Sequence, residues 1–174
     1  MRCAALLLLA CSLSWGQSGG KETTQPARPA QSGRFLFPVA AEDYLEWTSP
    51  FGTRVSPLLK VLLYHEGIDL RAAPRAQVVA AADGWVDELW PPPNGYFVGH
   101  PVYGGLIVLR HAGGFKTLYA HLSAVYVQGW QLVKRGQVIG RIGSTGQSAG
   151  EHLHFEILVN GSPVNPILYV GLPR

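Results

Sequence analysis

His152-Leu153-His154-Phe155-Glu156-Ile157-Leu158-Val159 reads as one β-strand whose two faces differ in kind. Side chains alternate across a strand, so Leu153, Phe155, Ile157 and Val159 point one way, into a core, while His152, His154 and Glu156 point the other. Neighbours on one face lie about 6.6 Å apart along the strand, which lets one imidazole bind a metal while the next reaches a water beside it. Leu or Val would suit an ordinary half-buried strand equally well, so the choice of His and Glu calls for a chemical reading. The strand is turned by Asn160-Gly161 toward Val164. Upstream, Val78–Ala82 and Trp85–Leu89 flank Asp83-Gly84, a dipeptide suited to a two-residue hairpin turn. Leu106–Arg110 and Phe115–Leu122 flank Ala112-Gly113-Gly114 and form a second expected hairpin. Between Leu89 and Tyr103 a Pro- and Gly-rich stretch, beginning Trp90-Pro91-Pro92-Pro93-Asn94-Gly95, reads as a long loop bordering a cleft. Helical periodicity is weak throughout, and the expected class is mainly β.

Composition agrees. The 174 residues are 47% hydrophobic and 14% charged, with 21 Gly and 13 Pro, a balance that buries a core and is rich in turns. Length and uniformity suit one domain. The net charge of +3 is spread along the chain, and the longest basic run is Lys134-Arg135, so the concentrated stripe that nucleic acid needs is absent. Met1-Arg2, the apolar stretch Ala4 to Leu13 and Ser14-Trp15-Gly16 read as a secretory signal over residues 1–16. Leu8-Leu9-Ala10-Cys11 also resembles a bacterial lipoprotein box, so simple cleavage and lipidation of Cys11 are both expected routes to the cell envelope. Residues 17–34 are polar and read as a flexible linker, and the folded domain is expected over 35–174. Cys3 and Cys11 both fall in the signal segment, which leaves the domain without a thiol for a disulfide, a metal site or a nucleophile.

Two further clusters carry chemistry. In Tyr119-Ala120-His121-Leu122, alternation puts Tyr119 and His121 on one face with Leu118, Ala120 and Leu122 opposite; the plain alternative is a polar solvent face. In His65-Glu66-Gly67-Ile68-Asp69, a straight strand would hold His65 and Asp69 about 13 Å apart, too far to share an ion, but Gly67 lets the chain bend and bring them together. A helical His-Glu-x-x-His-like reading, with Glu66 as general base, fits less well because position 69 is Asp and Gly is unfavourable within a helix. Catalytic zinc takes three His or carboxylate ligands and leaves one position for water. His65, Asp69 and either His152 or His154 would meet that need, with His121 and the remaining member of the pair free to handle a proton and an oxyanion.

In order and spacing these motifs resemble the lysostaphin-type, LytM-like zinc metallopeptidases, which cut peptide cross-links of bacterial cell walls. The likeness runs from about Thr48 to Tyr169. It takes in Ser49-Pro50-Phe51-Gly52-Thr53-Arg54, His65-x-Gly67-x-Asp69, Ala80-x-x-Asp83-Gly84-x-Val86, Tyr119-Ala120-His121-Leu122, the glycine-rich Gly136 to Gly146, His152-Leu153-His154-Phe155-Glu156 and Val164-Asn165-Pro166. The resemblance implies a small, mostly antiparallel β-domain with an active-site groove. It implies one Zn2+ per chain held by His65, Asp69 and His154, with His121 and His152 as the catalytic pair. It further implies a monomer acting on peptidoglycan as a metalloendopeptidase, the alternative being a non-catalytic wall-binding domain or an activator of another wall hydrolase. Departures from the family pattern are Gly104-Gly105 for Gly-Asn, Arg75-Ala76 where a Gly is common, Ala149 for Thr, and a longer loop from Trp90 to Val102.

Overall fold

The computed structural model describes residues 34–56, 59–92 and 99–170. The signal segment, Cys11 and all but the last residue of the linker lie outside the described residues, as does part of the long loop. In chain order the strands are β1 (Tyr44–Ser49), β2 (Gly52–Val55), β3 (Leu62–His65), β4 (Ile68–Ala72), β5 (Gln77–Val79), β6 (Gly84–Trp90) and β7 (Gly105–Arg110). They continue as β8 (Phe115–Leu122), β9 (Ala124–Val125), β10 (Leu132–Val133), β11 (Val138–Arg141), β12 (Leu153–Val159) and β13 (Ser162–Val164). Pro166–Leu168 forms a single 3-10 turn, the one helical element among the described residues.

The named strands pair antiparallel, as expected for this class. The large sheet runs β1-β4-β12-β8-β7-β6-β10, with β13 paired to β12; β5-β11-β9 form a second sheet and β2-β3 a separate hairpin. The expected strand 152–159 forms as β12 over Leu153–Val159, an inner strand of the large sheet between β4 and β8, with His152 just before it in a bridge to Gly143. Leu153, Phe155 and Ile157 are fully buried in the main core. That core is shared by the inner face of the large sheet and the smaller sheet, through Ile107, Leu109 and Tyr119 on one side and Val78 and Ile139 on the other. The opposite face is also covered: Leu106, Val108, Leu118 and Ala120 form a second apolar cluster with Tyr103 against it. β7 thus alternates between two dry faces, and its run of apolar residues follows from that.

Two of the expected turns form. Gly113 and Gly114 take φ 77° and 75° between β7 and β8, and Asn160 and Gly161 take φ 50° and 85° between β12 and β13. The Asp83-Gly84 hairpin does not. β5 pairs with β11, whereas β6 pairs with β7 and β10, so Ala80 to Asp83 is a crossing between sheets. The Ala81 N–H donates to the Tyr119 hydroxyl, and the Asp83 carboxylate accepts from the Arg135 N–H at 2.8 Å, which ties the crossing down. Gly84 is required for closeness: a Cβ there would stand 2.3 Å from the Arg110 carbonyl oxygen.

Candidate metal centre

Adjacent strands β4, β12 and β8 build the site. Asp69 on β4 lies directly opposite His154 on β12, and His154 lies opposite Ala120 on β8, one residue before His121. His65 arrives from the β2-β3 hairpin. The chain turns at Glu66-Gly67 between β3 and β4, so the 65–69 segment is strand-turn-strand and the helical alternative is excluded. Gly67 serves here by size: a Cβ would stand 2.4 Å from the Phe155 carbonyl oxygen and 2.9 Å from the Glu156 side chain. Its absence lets the turn lie against β12.

His121 is a correction to the expected strand faces. Tyr119 points into the main core against Phe155, while His121 opens into the groove. Strict alternation would have sent both the same way. A register shift between Gly105 and Ile107 on β7, together with φ 62° at His121, turns His121 onto the face of Ala120 and returns Leu122 to the core. The bulge re-aims one side chain, a common use of bulges near active sites.

The five expected residues converge. His65 Nε2, Asp69 Oδ1 and His154 Nδ1 form a triangle with sides of 3.1, 3.0 and 2.9 Å. All three residues are buried. The second nitrogen of each imidazole is committed elsewhere: His65 Nδ1–H donates to the Pro50 carbonyl at 2.7 Å, and His154 Nε2–H donates to Glu156 Oε1 at 2.8 Å. Such outer partners select the tautomer whose inner nitrogen carries a lone pair. Three lone-pair atoms then face one another, which is stable only with a cation among them. Burial alone would lower His154, but its hydrogen bonds to Asp69 and Glu156 raise it to about 9. Burial would likewise raise the Asp69 carboxyl, yet His154 and His65 hold it well below the usual carboxylate range. Arg54 Nη2 pairs with the other Asp69 oxygen at 3.2 Å, leaving Oδ1 for the cluster. Tetrahedral zinc with N and O ligands at about 2.0–2.1 Å sets its ligands about 3.3 Å apart, so the donor set fits a zinc-like ion after a slight expansion.

The other two imidazoles stand beside this cluster, their rings 4.7 Å apart between centroids. His121 Nδ1–H donates to the Thr145 carbonyl, and His152 Nδ1–H to the Gly150 carbonyl, each at 2.8 Å. Both Nε2 atoms are thereby left as acceptors; that of His152 lies 3.7 Å from Asp69 Oδ1. Burial, and then the neighbouring His152, lower His121 to about 4, so it is neutral at pH 7. All five residues line one open groove of about 270 Å³, walled by Leu63 and Tyr64 of the hairpin and by Val102 and Tyr103 of the long loop. The loop therefore borders the cleft, as its composition suggests. Sequence reasoning gave no role to Arg54 on the short strand β2, or to Tyr103 and Thr145 outside the strands, because a single polar residue in a four-residue strand or a connection carries no periodic signal.

Mainly antiparallel β architecture with a His/Asp/His cluster that could hold a metal ion and two flanking imidazoles is the arrangement of a metallopeptidase-type β-domain. The chain belongs to peptidase family M23, which it matches over residues 63–166. It is 45% identical over 131 residues to the DD-carboxypeptidase/endopeptidase Mpg of Neisseria meningitidis, covering 75% of this chain and 28% of Mpg. It is 37% identical over 108 residues to the murein hydrolase activator NlpD of Salmonella dublin, covering 61% of this chain and 26% of NlpD. The chain thus spans about a quarter of the length of these curated relatives. Among solved structures it resembles a zinc-containing peptidase from Vibrio cholerae, with a TM-score of 0.63 and 33% identity over 83% of this chain and 46% of that one. It also resembles the catalytic domain of lysostaphin from Staphylococcus simulans, with a TM-score of 0.57 and 28% identity over 70% of this chain and 89% of that one.

Proposed function

We propose that this chain is a zinc-dependent endopeptidase that hydrolyses peptide bonds of bacterial peptidoglycan. The observation that carries the reading is the closed triangle of His65, Asp69 and His154 donor atoms with two further imidazoles, His121 and His152, presenting free Nε2 atoms into the same groove. His65, Asp69 and His154 would hold the zinc. When bound, the metal would supply Lewis-acid polarisation of a scissile carbonyl and a lowered pKa for water. One of the two Nε2 atoms accepts the proton of the attacking water as its oxygen adds to the carbonyl carbon; the proton then passes to the amide nitrogen as the C–N bond breaks. The other imidazole, with its Nδ1–H on a backbone carbonyl, faces the developing oxyanion and donates to it from Nε2 once it carries a second proton. Glycoside hydrolysis commonly uses two carboxylates flanking the bond, whereas here Asp69 sits in the cluster and Glu156 is buried behind His154.

Peptidoglycan as substrate places the protein outside the cytoplasm, which agrees with residues 1–16 as an export signal, residues 17–34 as a linker and 35–174 as the peptidase domain. Cys11 offers a lipid anchor. The test is digestion of purified peptidoglycan with mass analysis of the released fragments. The reading expects new free amino groups, no new reducing ends, and loss of both release and fragments on chelation. Reducing ends without amino groups would overturn the peptidase assignment. Release of neither, in zinc-replete protein, would favour a binding or activating role like that named for NlpD.

A further inference from the structure

Glu156 is 2% exposed and lies on the site face of β12, two residues beyond His154. A buried carboxylate is costly unless its partners satisfy it. Its side-chain partners are His154, whose Nε2–H reaches Oε1 at 2.8 Å, and Tyr103, whose hydroxyl donates to the same oxygen at 2.9 Å. Tyr103 also lies over the His154 ring, with centroids 5.7 Å apart and planes inclined by 29°. Opposite Glu156 on β8 stands Leu118, which with Leu106, Val108 and Ala120 makes the second apolar cluster, and Tyr103 packs against that cluster; burial of this kind strengthens a hydrogen bond. Tyr103 is itself held from the loop: its backbone N–H donates to His100 Nδ1 at 3.0 Å, and its carbonyl accepts the His121 N–H at 2.8 Å. A Leu at 156 would pack against the same cluster without this cost, so the carboxylate is placed for what it does to His154.

We propose that Glu156 and Tyr103 act together as positioning residues for the metal centre: the carboxylate fixes His154 with its proton on Nε2 and its lone pair on Nδ1, and the tyrosine fixes the carboxylate and the ring plane. This rests on the proposed metal role of His154. It makes the long loop, through Tyr103, part of what sets metal affinity.

The experiment measures zinc affinity of the purified protein by competition with a chromophoric chelator, for wild type, Glu156→Gln, Tyr103→Phe and His154→Ala. Glu156→Gln should weaken binding by roughly 10- to 100-fold, the usual cost of losing a carboxylate behind a metal-bound His. Tyr103→Phe removes one hydrogen bond and should weaken it by a smaller factor, about 3- to 10-fold. A spectroscopic signature separates positioning from general damage: in zinc-loaded wild type the His154 Nε2 proton should resonate far downfield and exchange slowly, and in Glu156→Gln it should move upfield. If Glu156→Gln does not fold, Tyr103→Phe decides the matter alone, by affinity and by the shift of the same proton. Wild-type zinc affinity and an unmoved proton in a folded variant overturn the proposal while the metal reading stands. Wild-type affinity in His154→Ala overturns the metal reading itself.

Discussion

His121 holds φ 62°, a left-handed conformation that costs a non-glycine residue about 1–2 kcal/mol. Two hydrogen bonds hold it there: its N–H donates to the Tyr103 carbonyl, and its ring Nδ1–H donates to the Thr145 carbonyl. The strain turns a side chain that alternation would bury into one whose Nε2 faces the cluster. The His121→Ala and His152→Ala variants are expected to keep one equivalent of zinc by metal analysis while hydrolysis of peptidoglycan falls by about two to four orders of magnitude. Glu66 is exposed on the turn between β3 and β4, and Glu66→Gln should leave the rate within a few-fold of wild type. A large loss at Glu66 with little at His121 would reverse those roles. Away from the site, His111 is buried with Nδ1–H on the Asp83 carbonyl at 2.8 Å and Nε2 2.7 Å from the Thr117 hydroxyl. Burial lowers its pKa, so the folded state prefers it neutral. At pH below the unfolded value of about 6.5 the unfolded chain binds the extra proton and the folded chain does not, so its contribution to stability falls as pH drops through that range and is complete above it. Urea unfolding of chelated protein should show this decline, and His111→Asn should flatten it.

At the scale of elements, two glycines allow close approaches by what they lack, one of them at the site. Gly67 lets the β3-β4 turn lie on β12, and Gly84 lets β6 approach the end of β7. In Gly67→Ala the new methyl meets a backbone carbonyl that cannot swing away, so a loss of about 1–3 kcal/mol is expected, with weakened zinc binding because His65 and Asp69 flank the turn. Gly129→Ala, where nothing lies within 4 Å, should change stability by less than about 0.5 kcal/mol. Thermal unfolding with and without zinc separates the two. The same elements mark how far the sequence could be read. β12 is legible because its core face is apolar throughout and the opposite face carries His154 and Glu156 before ending on Leu158. The β7-β8 and β12-β13 turns were legible because Gly113, Gly114, Asn160 and Gly161 do need left-handed backbone. Asp83-Gly84 carries the same local signal, yet Gly84 answers a contact with Arg110, distant in sequence, and β5 is claimed by β11. The motif marks His121 but not the face it takes, since a one-residue bulge leaves no trace in a period-two pattern.

Over the whole molecule, the β2-β3 hairpin stands apart from the two sheets. β2 and β3 pair with each other, and Val55, Leu62, Leu63 and Tyr64 are exposed, so the hairpin brings little apolar surface to the core. Its side-chain links to the large sheet run through the site: Arg54 to Asp69, and His65 to Asp69 and His154. An attachment through a few polar contacts is weak beside one through packed apolar surface, since each such hydrogen bond contributes only about 1 kcal/mol net. A bound metal held by His65, Asp69 and His154 would tie the hairpin to β4 and β12, and ligand binding to the folded state alone stabilises by about 2.7 kcal/mol at 100 times the dissociation constant. That gain should be unevenly distributed. Amide exchange across Leu62–His65 is expected to slow sharply on zinc addition and to speed up on chelation, because opening the hairpin then means breaking coordination. β7 and β8, buried on both faces and hydrogen-bonded on both edges, should exchange only by global unfolding and change in proportion to overall stability. Equal slowing across the hairpin and the central strands would mean that the hairpin is held by packing along its length and that His65 is not its anchor.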